Sequence, residues 1–139
     1  MAVAVLVDAG PLYSYIDADD RNHAECLELL ERHPGPLAIP LLVVHEVAYL
    51  SETRLGPDAE VRFAGDLASG AFVTVAVDDR DWLRIAELVS RYRDLPLGIV
   101  DASIIAAAER IGVTTIATLD RRHFGVVRPA HVAAFELLP

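Results

Sequence analysis

Residues 98–124 read GIVDASIIAAAERIGVTTIATLDRRHF, and the fold follows from how this stretch divides. Ile99, Val100, Ala102, Ile104, Ile105, Ala106, Ala107, Ala108 and Ile111 leave almost no polar side over 99–111. A helix that is apolar all round is a buried helix. Gly98 suits its N-cap, and Gly112 supplies the C-terminal stop. Val113 to Leu119 is a short, β-branched run that suits a buried strand. Two acids interrupt this apolar stretch. Asp101 falls at the third helical position, and Asp120 stands just past the strand. Each has an ordinary structural reading, Asp101 as a first-turn acid favoured by the helix dipole and Asp120 as a turn residue. The alternative is that other acids converge on the same place.

Working outward, Ala2 to Val7 is an apolar run that reads as a buried, parallel strand ending at Asp8. Ala9-Gly10-Pro11 turns into a short helix, Leu12 to Ile16. Asp17, Asp19 and Asp20 read as a solvated loop. Asn22 and Glu25 have the spacing of a capping box and open a helix to about Arg32. Leu37 to Ile39 is a strand, followed by a helix from Leu41 to Arg54 with Glu46 in its second turn. Pro57 to Ser69 is a further helix, Ala71 to Val77 a strand. Asp78, Asp79 and Asp81 begin a helix whose inner face is read as Trp82, Ile85, Leu88 and Val89. The tail after Val126-Val127 carries no assigned element.

Strands alternating with helices imply a single α/β domain over 1–139, with a central, mostly parallel sheet flanked by helices. In such sheets, ligands bind beyond the C-terminal strand ends. Asp8 and Asp120 both end strands there, while Asp101 and Glu46 sit near helix starts that can reach the same rim. Four acids from four segments repel, so some must take a proton or hold a cation. Oxygen ligands alone suit Mg²⁺ or Mn²⁺, which can activate water against a phosphodiester.

Composition narrows the classes. The 139 residues are 53% apolar, enough for a core. No run approaches the length of a membrane span, and the N-terminus lacks the basic flank of a signal peptide. The single cysteine, Cys26, reads as core, and the expected location is cytoplasmic. A net charge of −9 argues against a general nucleic-acid coat but not against a metal-dependent nuclease. All 12 basic residues are arginine. A P-loop and a receiver domain, which need lysine, are therefore excluded. A dinucleotide fold would need G-x-G-x-x-G after the first strand, where Asp8-Ala-Gly-Pro stands. His45-Glu46 is no zinc-protease motif, because Tyr49 occupies the second histidine position.

The chain resembles a PIN domain, and within that group the VapC toxins of bacterial toxin–antitoxin pairs. The resemblance rests on Val7 to Leu12, Val44 to Val47, Asp101 to Ala108 and Thr118 to Phe124, and runs nearly end to end. It implies a Mg²⁺- or Mn²⁺-dependent endoribonuclease, a homodimer, and silencing by a cognate VapB-type antitoxin. By position, Asp8, Glu46, Asp101 and Asp120 match its acidic set, with Asp8 and Asp101 expected nearest the metal. Thr118 matches a small hydroxyl that either orients a ligand or merely ends the strand. Arg121, Arg122 and Arg128 are placed to fork onto RNA phosphate, or equally to stand as surface arginines on a loop. Apolar anchors for an antitoxin are sought among whichever of Leu12, Tyr13, Ile16, Val43, Val47 and Leu50 are exposed, each of which reads more readily as core or dimer contact. An RNA-maturation nuclease without an antitoxin, and an inactive PIN-like scaffold, are the alternatives.

Overall fold

The computed structural model describes residues 2–139. Five parallel strands form one sheet in the order β3-β2-β1-β4-β5. They are β1 (Val5–Val7), β2 (Leu37–Pro40), β3 (Val73–Val75), β4 (Thr115–Ala117) and β5 (Glu136–Leu138). Seven helices among the described residues flank the sheet. These are α1 (Ala9–Ile16), α2 (His23–Arg32), α3 (Leu41–Leu55), α4 (Pro57–Ser69), α5 (Asp81–Arg91), α6 (Ile99–Ile111) and α7 (Arg121–Val126).

The central strand β1 is buried along its whole length. Leu6 sits between Ala38 of β2 and Ile116 of β4, which is why all three segments are continuous apolar runs. Helix α6 keeps the register expected from its sequence, with Gly98 as N-cap and Gly112 left-handed at φ 76°. Residues 102–108 of this helix are all buried, Ser103 by returning its hydroxyl to the Val100 carbonyl. Cys26 is fully buried.

Several expectations change. Helix α1 begins at Ala9, three residues early, because the Asp8 side chain accepts from the Ala9 N–H and caps it. The Asn22–Glu25 capping box does not form. Asn22 has φ −99° and ψ 9°, outside the extended conformation a cap needs, and Asp20 takes the Asn22 N–H instead. Trp82 is 47% exposed, not inward. Asp81 is drawn in by Arg110, and with Ile85 and Leu88 it fixes the inner stripe of α5; the next residue along a helix then turns outward. Two elements fall where the sequence assigned none. Helix α7 is capped by Asp120, and β5 pairs with β4, from which Thr118 N–H reaches the Leu138 carbonyl at 2.8 Å.

Candidate active site

Three of the four acids stand at helix starts on the C-terminal edge of the sheet. Asp8 ends β1 and caps α1; Asp120 follows β4 and caps α7, its Oδ1 accepting from His123 N–H at 3.0 Å; Asp101 lies in the first turn of α6. Helix N-termini carry partial positive charge, which suits carboxylates there. Glu46 approaches from the second turn of α3. The sheet order explains the convergence, because β1 and β4 are neighbours and their next residues share one rim.

Asp8 is 8% exposed, and Thr118 only 1%. Thr118 Oγ1 donates to Asp8 Oδ2 at 2.8 Å and accepts from Asp120 N–H at 2.9 Å. One hydroxyl therefore orients one acid and the backbone of another. Burial pushes the Asp8 carboxyl up from 3.8 to about 6 against the bonds from Thr118 and Ala9, with the charges of Asp101 and Glu46 adding to the rise. Burial also raises Glu46, with help from Asp101, and raises Asp101, with help from Asp120 and against the pull of His123. Asp8, Glu46 and Asp101 thus form one cluster of like charge, and Asp101 also feels the charge of Asp120.

His123 is the residue that sequence reasoning missed. Its Nδ1 lies 2.8 Å from Asp101 Oδ2 and 2.8 Å from Asp120 Oδ2. Ligand atoms of these three side chains lie within 4.8 Å of one another, a spacing one cation can satisfy. Asp101 therefore engages across the site, and no bond to its own helix amides is found among the described residues. The signal was present in the stretch TLDRRHF, where His123 follows Asp120 by three. That spacing puts both on one face only once 121–126 is a helix.

The arginines divide. Arg121 donates to the carbonyl of Pro139 and ties α7 to the end of the described chain. Arg122 is exposed beside the rim, and Arg128, also exposed, is held through its backbone by the Tyr92 hydroxyl.

A PIN domain family model matches residues 5–128. Ribonuclease VapC26 of Mycobacterium tuberculosis is 35% identical over 135 residues, spanning 97% of this chain and all of that protein. The chain belongs to the PIN-domain family, and within it to the VapC group. Solved structures agree on the fold. VapC20 of Mycobacterium tuberculosis, described as a sarcin-ricin loop cleaving toxin, superposes with a TM-score of 0.82 at 20% identity, covering 95% of this chain and 99% of that one. A toxin–antitoxin complex from Klebsiella pneumoniae gives 0.70 at 24% identity over 93% and 100% of the two chains. DNA-bound VapBC from Salmonella typhimurium gives 0.69 at 16% identity over 97% and 96%.

The donor set of this PIN domain fits a divalent cation. It offers carboxylate oxygens in excess of the charge that neighbouring protein groups neutralise, and one imidazole nitrogen. Oxygen ligands suit Mg²⁺ and Mn²⁺ alike, and a nitrogen donor shifts preference toward Mn²⁺. Among the described residues no helix is long and apolar enough to cross a membrane.

Proposed function

We infer that this VapC-type PIN ribonuclease, a toxin of the toxin–antitoxin class, hydrolyses RNA phosphodiester bonds at a metal site made by Asp8, Glu46, Asp101 and Asp120. The observation that carries the reading is the Asp8–Thr118–Asp120 linkage, with Asp101 held beside it by His123. Asp8 and Asp101 would hold Mg²⁺ or Mn²⁺ most directly, with Glu46, Asp120 and His123 completing its surroundings. When bound, such an ion supplies Lewis-acid activation of water and offsets charge developing on the phosphate. The chain's own work is to hold those oxygens in place. Thr118 fixes the rotamer of Asp8, α7 presents Asp120, and His123 prevents Asp101 from turning back to cap α6.

The partner reading follows from charge. A cognate antitoxin would insert an arginine among these carboxylates, since a guanidinium pairs with carboxylate in a two-pronged fork. Leu12, Val43 and Val47 are fully buried and Tyr13 nearly so, which removes them as its apolar anchors. Ile16 and Leu50, only partly buried, remain. Residues 1–139 would act as one domain in the cytoplasm, paired as a homodimer, with its RNA substrate in the same compartment.

The test is direct. Purified, antitoxin-free protein should cut RNA with Mg²⁺ or Mn²⁺ and stop with EDTA. RNA ends mapped after brief induction should appear with the wild type and vanish with Asp8→Ala. Undiminished cutting in EDTA would sink the mechanism.

A further inference from the structure

From the acidic rim a cleft of about 300 Å³ runs outward between α1 and α3. Glu46, Leu50 and Arg54 line one side of it, and Tyr13, Asn22 and Leu119 the other. Glu46, Leu50 and Arg54 stand four residues apart, so they form one stripe along α3. The stripe spans about 12 Å from the rim to the last turn of the helix. It begins on an acid of the proposed metal site and ends on a cation.

What marks Arg54 is an aromatic partner in place of an acidic one. Arg32, Arg80, Arg84 and Arg110 each meet a carboxylate within 4.0 Å. Among the described residues, Arg54 has no such partner. It is oriented instead by an aromatic face, its guanidinium carbon 5.2 Å from the centre of the Tyr13 ring. The Tyr13 hydroxyl donates to Asp17 at 2.7 Å, so the ring beneath the arginine is itself fixed. Arg54 is thus held in position at the mouth of a cleft that opens on the rim, with no carboxylate paired to it among the described residues. Asn22, on the opposite wall, makes no cap bond with its side chain, which leaves a carboxamide able both to donate and to accept.

We propose that this cleft takes the nucleotide adjoining the scissile phosphate, with Arg54 on the next phosphate along the strand. The proposal rests on the ribonuclease reading above. Leu50 and Leu119 offer apolar surface for a base, and Asn22 a polar edge to pair with it. The volume matches a small-molecule site at its lower limit, the scale of a single nucleotide. A polyanion approaching a chain of net charge −9 needs a fixed cation beyond the metal, and Arg54 supplies it. An acidic peptide fits the same arginine less well. It would face Glu46 and Asp20 along the cleft with no divalent ion of its own to place between the charges.

The experiment measures binding of a short, mixed-sequence, single-stranded RNA by fluorescence anisotropy, with Ca²⁺ replacing Mg²⁺ to hold back cleavage. It compares wild type, Arg54→Ala, Arg54→Lys and Arg32→Ala, with melting curves to verify the fold. Arg32 lies at the far end of α2 and serves as the control for loss of one surface charge. Arg54→Ala should weaken binding about tenfold and make the salt dependence shallower by about 0.7 in log–log slope, the value for one single-strand phosphate contact. Arg54→Lys should recover part of both, and Arg32→Ala should match wild type. In cleavage, Arg54→Ala should raise KM by more than it lowers kcat. Wild-type affinity and slope in Arg54→Ala would overturn the proposal while leaving the ribonuclease reading intact. So would unchanged RNA binding with loss of antitoxin inhibition, which would make the cleft a protein groove. A wild-type protein that neither binds nor cuts RNA would remove the ribonuclease reading and the cleft with it.

Discussion

The Thr118 hydroxyl donates to Asp8 Oδ2 at 2.8 Å across 110 positions of sequence. Thr118→Val keeps the shape and deletes the donor. One Asp8 oxygen and the Asp120 N–H then lose their partner inside the fold, at about 1–3 kcal/mol of stability. The bond also holds the Asp8 carboxyl down against burial, so its loss pushes that group further up. Cleavage should fall near neutral pH, with the acid limb of kcat/KM displaced to higher pH. Thr118→Ser should retain both rate and profile. An unmoved profile in the valine variant would show that the hydroxyl only ends a strand.

Asp8 gives a pH dependence of stability with a definite sign. Its folded value of about 6 lies above its ordinary 3.8, so the folded state holds its proton through that window and the unfolded state does not. The contribution is therefore fully present below pH 3.8, is lost as pH rises toward 6, and stays lost above. The difference is about 3 kcal/mol. Glu46 and Asp101 are shifted the same way and add to it. Asp8→Asn should thus stabilise the metal-free protein at neutral pH, with the gain over wild type shrinking as pH falls below 6. Chemical denaturation at several pH values measures this. A gain that is constant with pH would show that Asp8 does not titrate in the window.

The sheet and the rim were legible for one reason. Apolar runs broken by single acids can be read without knowing what packs where, and Asp8, Asp101 and Asp120 each break one. The acids at strand ends needed only the rule that parallel sheets gather ligands at one edge. What escaped the sequence depended on partners distant in the chain. β5 is three residues long and exists because β4 offers it an edge. Trp82 turned outward because Arg110 claims its neighbour Asp81, and those two stand 29 positions apart. His123 joined the site through a six-residue helix whose cap is Asp120 itself.

That Arg110–Asp81 pair gives a structural test remote from the chemistry. Asp81 is 5% exposed, with Arg110 Nε 3.1 Å from its Oδ1. Arg110 also donates to the Ala76 carbonyl at 3.0 Å, joining α6 to the segment before α5. Arg110→Ala leaves a buried carboxylate without its counter-charge, although the Asp78 N–H still bonds it at 3.0 Å. The expected loss is about 3 kcal/mol, the lower part of the range for a broken buried pair. Arg110→Ala, Asp81→Ala and the double variant, compared by denaturant titration, separate the coupling from each deletion. A double variant less stable than wild type by the sum of the two single losses would deny the pairing.

Asp101→Asn separates a capping role from a metal role. A first-turn capping acid replaced by asparagine should cost roughly 0.3–1 kcal/mol and leave cleavage intact. In this site the carboxylate is raised mainly by burial and bonded to His123, so its removal relieves charge rather than a cap. The expected outcome is loss of cleavage with the metal-free protein as stable as wild type or more so. Melting curves taken beside cleavage rates decide, and a destabilised but active variant would return Asp101 to capping.

His123 is tested through the metal rather than through the rate. One imidazole nitrogen contacts both Asp101 and Asp120, so the ring either contributes a ligand or pins two ligands from outside. These roles differ in their dependence on the ion. A nitrogen ligand favours Mn²⁺ over Mg²⁺, whereas pinning the carboxylates serves both equally. His123→Ala should lower Mn²⁺ affinity by about tenfold, the lower end for loss of a residue supporting a metal, and lower Mg²⁺ affinity by less. Calorimetric titration of both ions into wild type and variant gives the comparison without any turnover. Equal losses for the two ions would assign the ring to positioning alone, and no loss for either would remove His123 from the metal site.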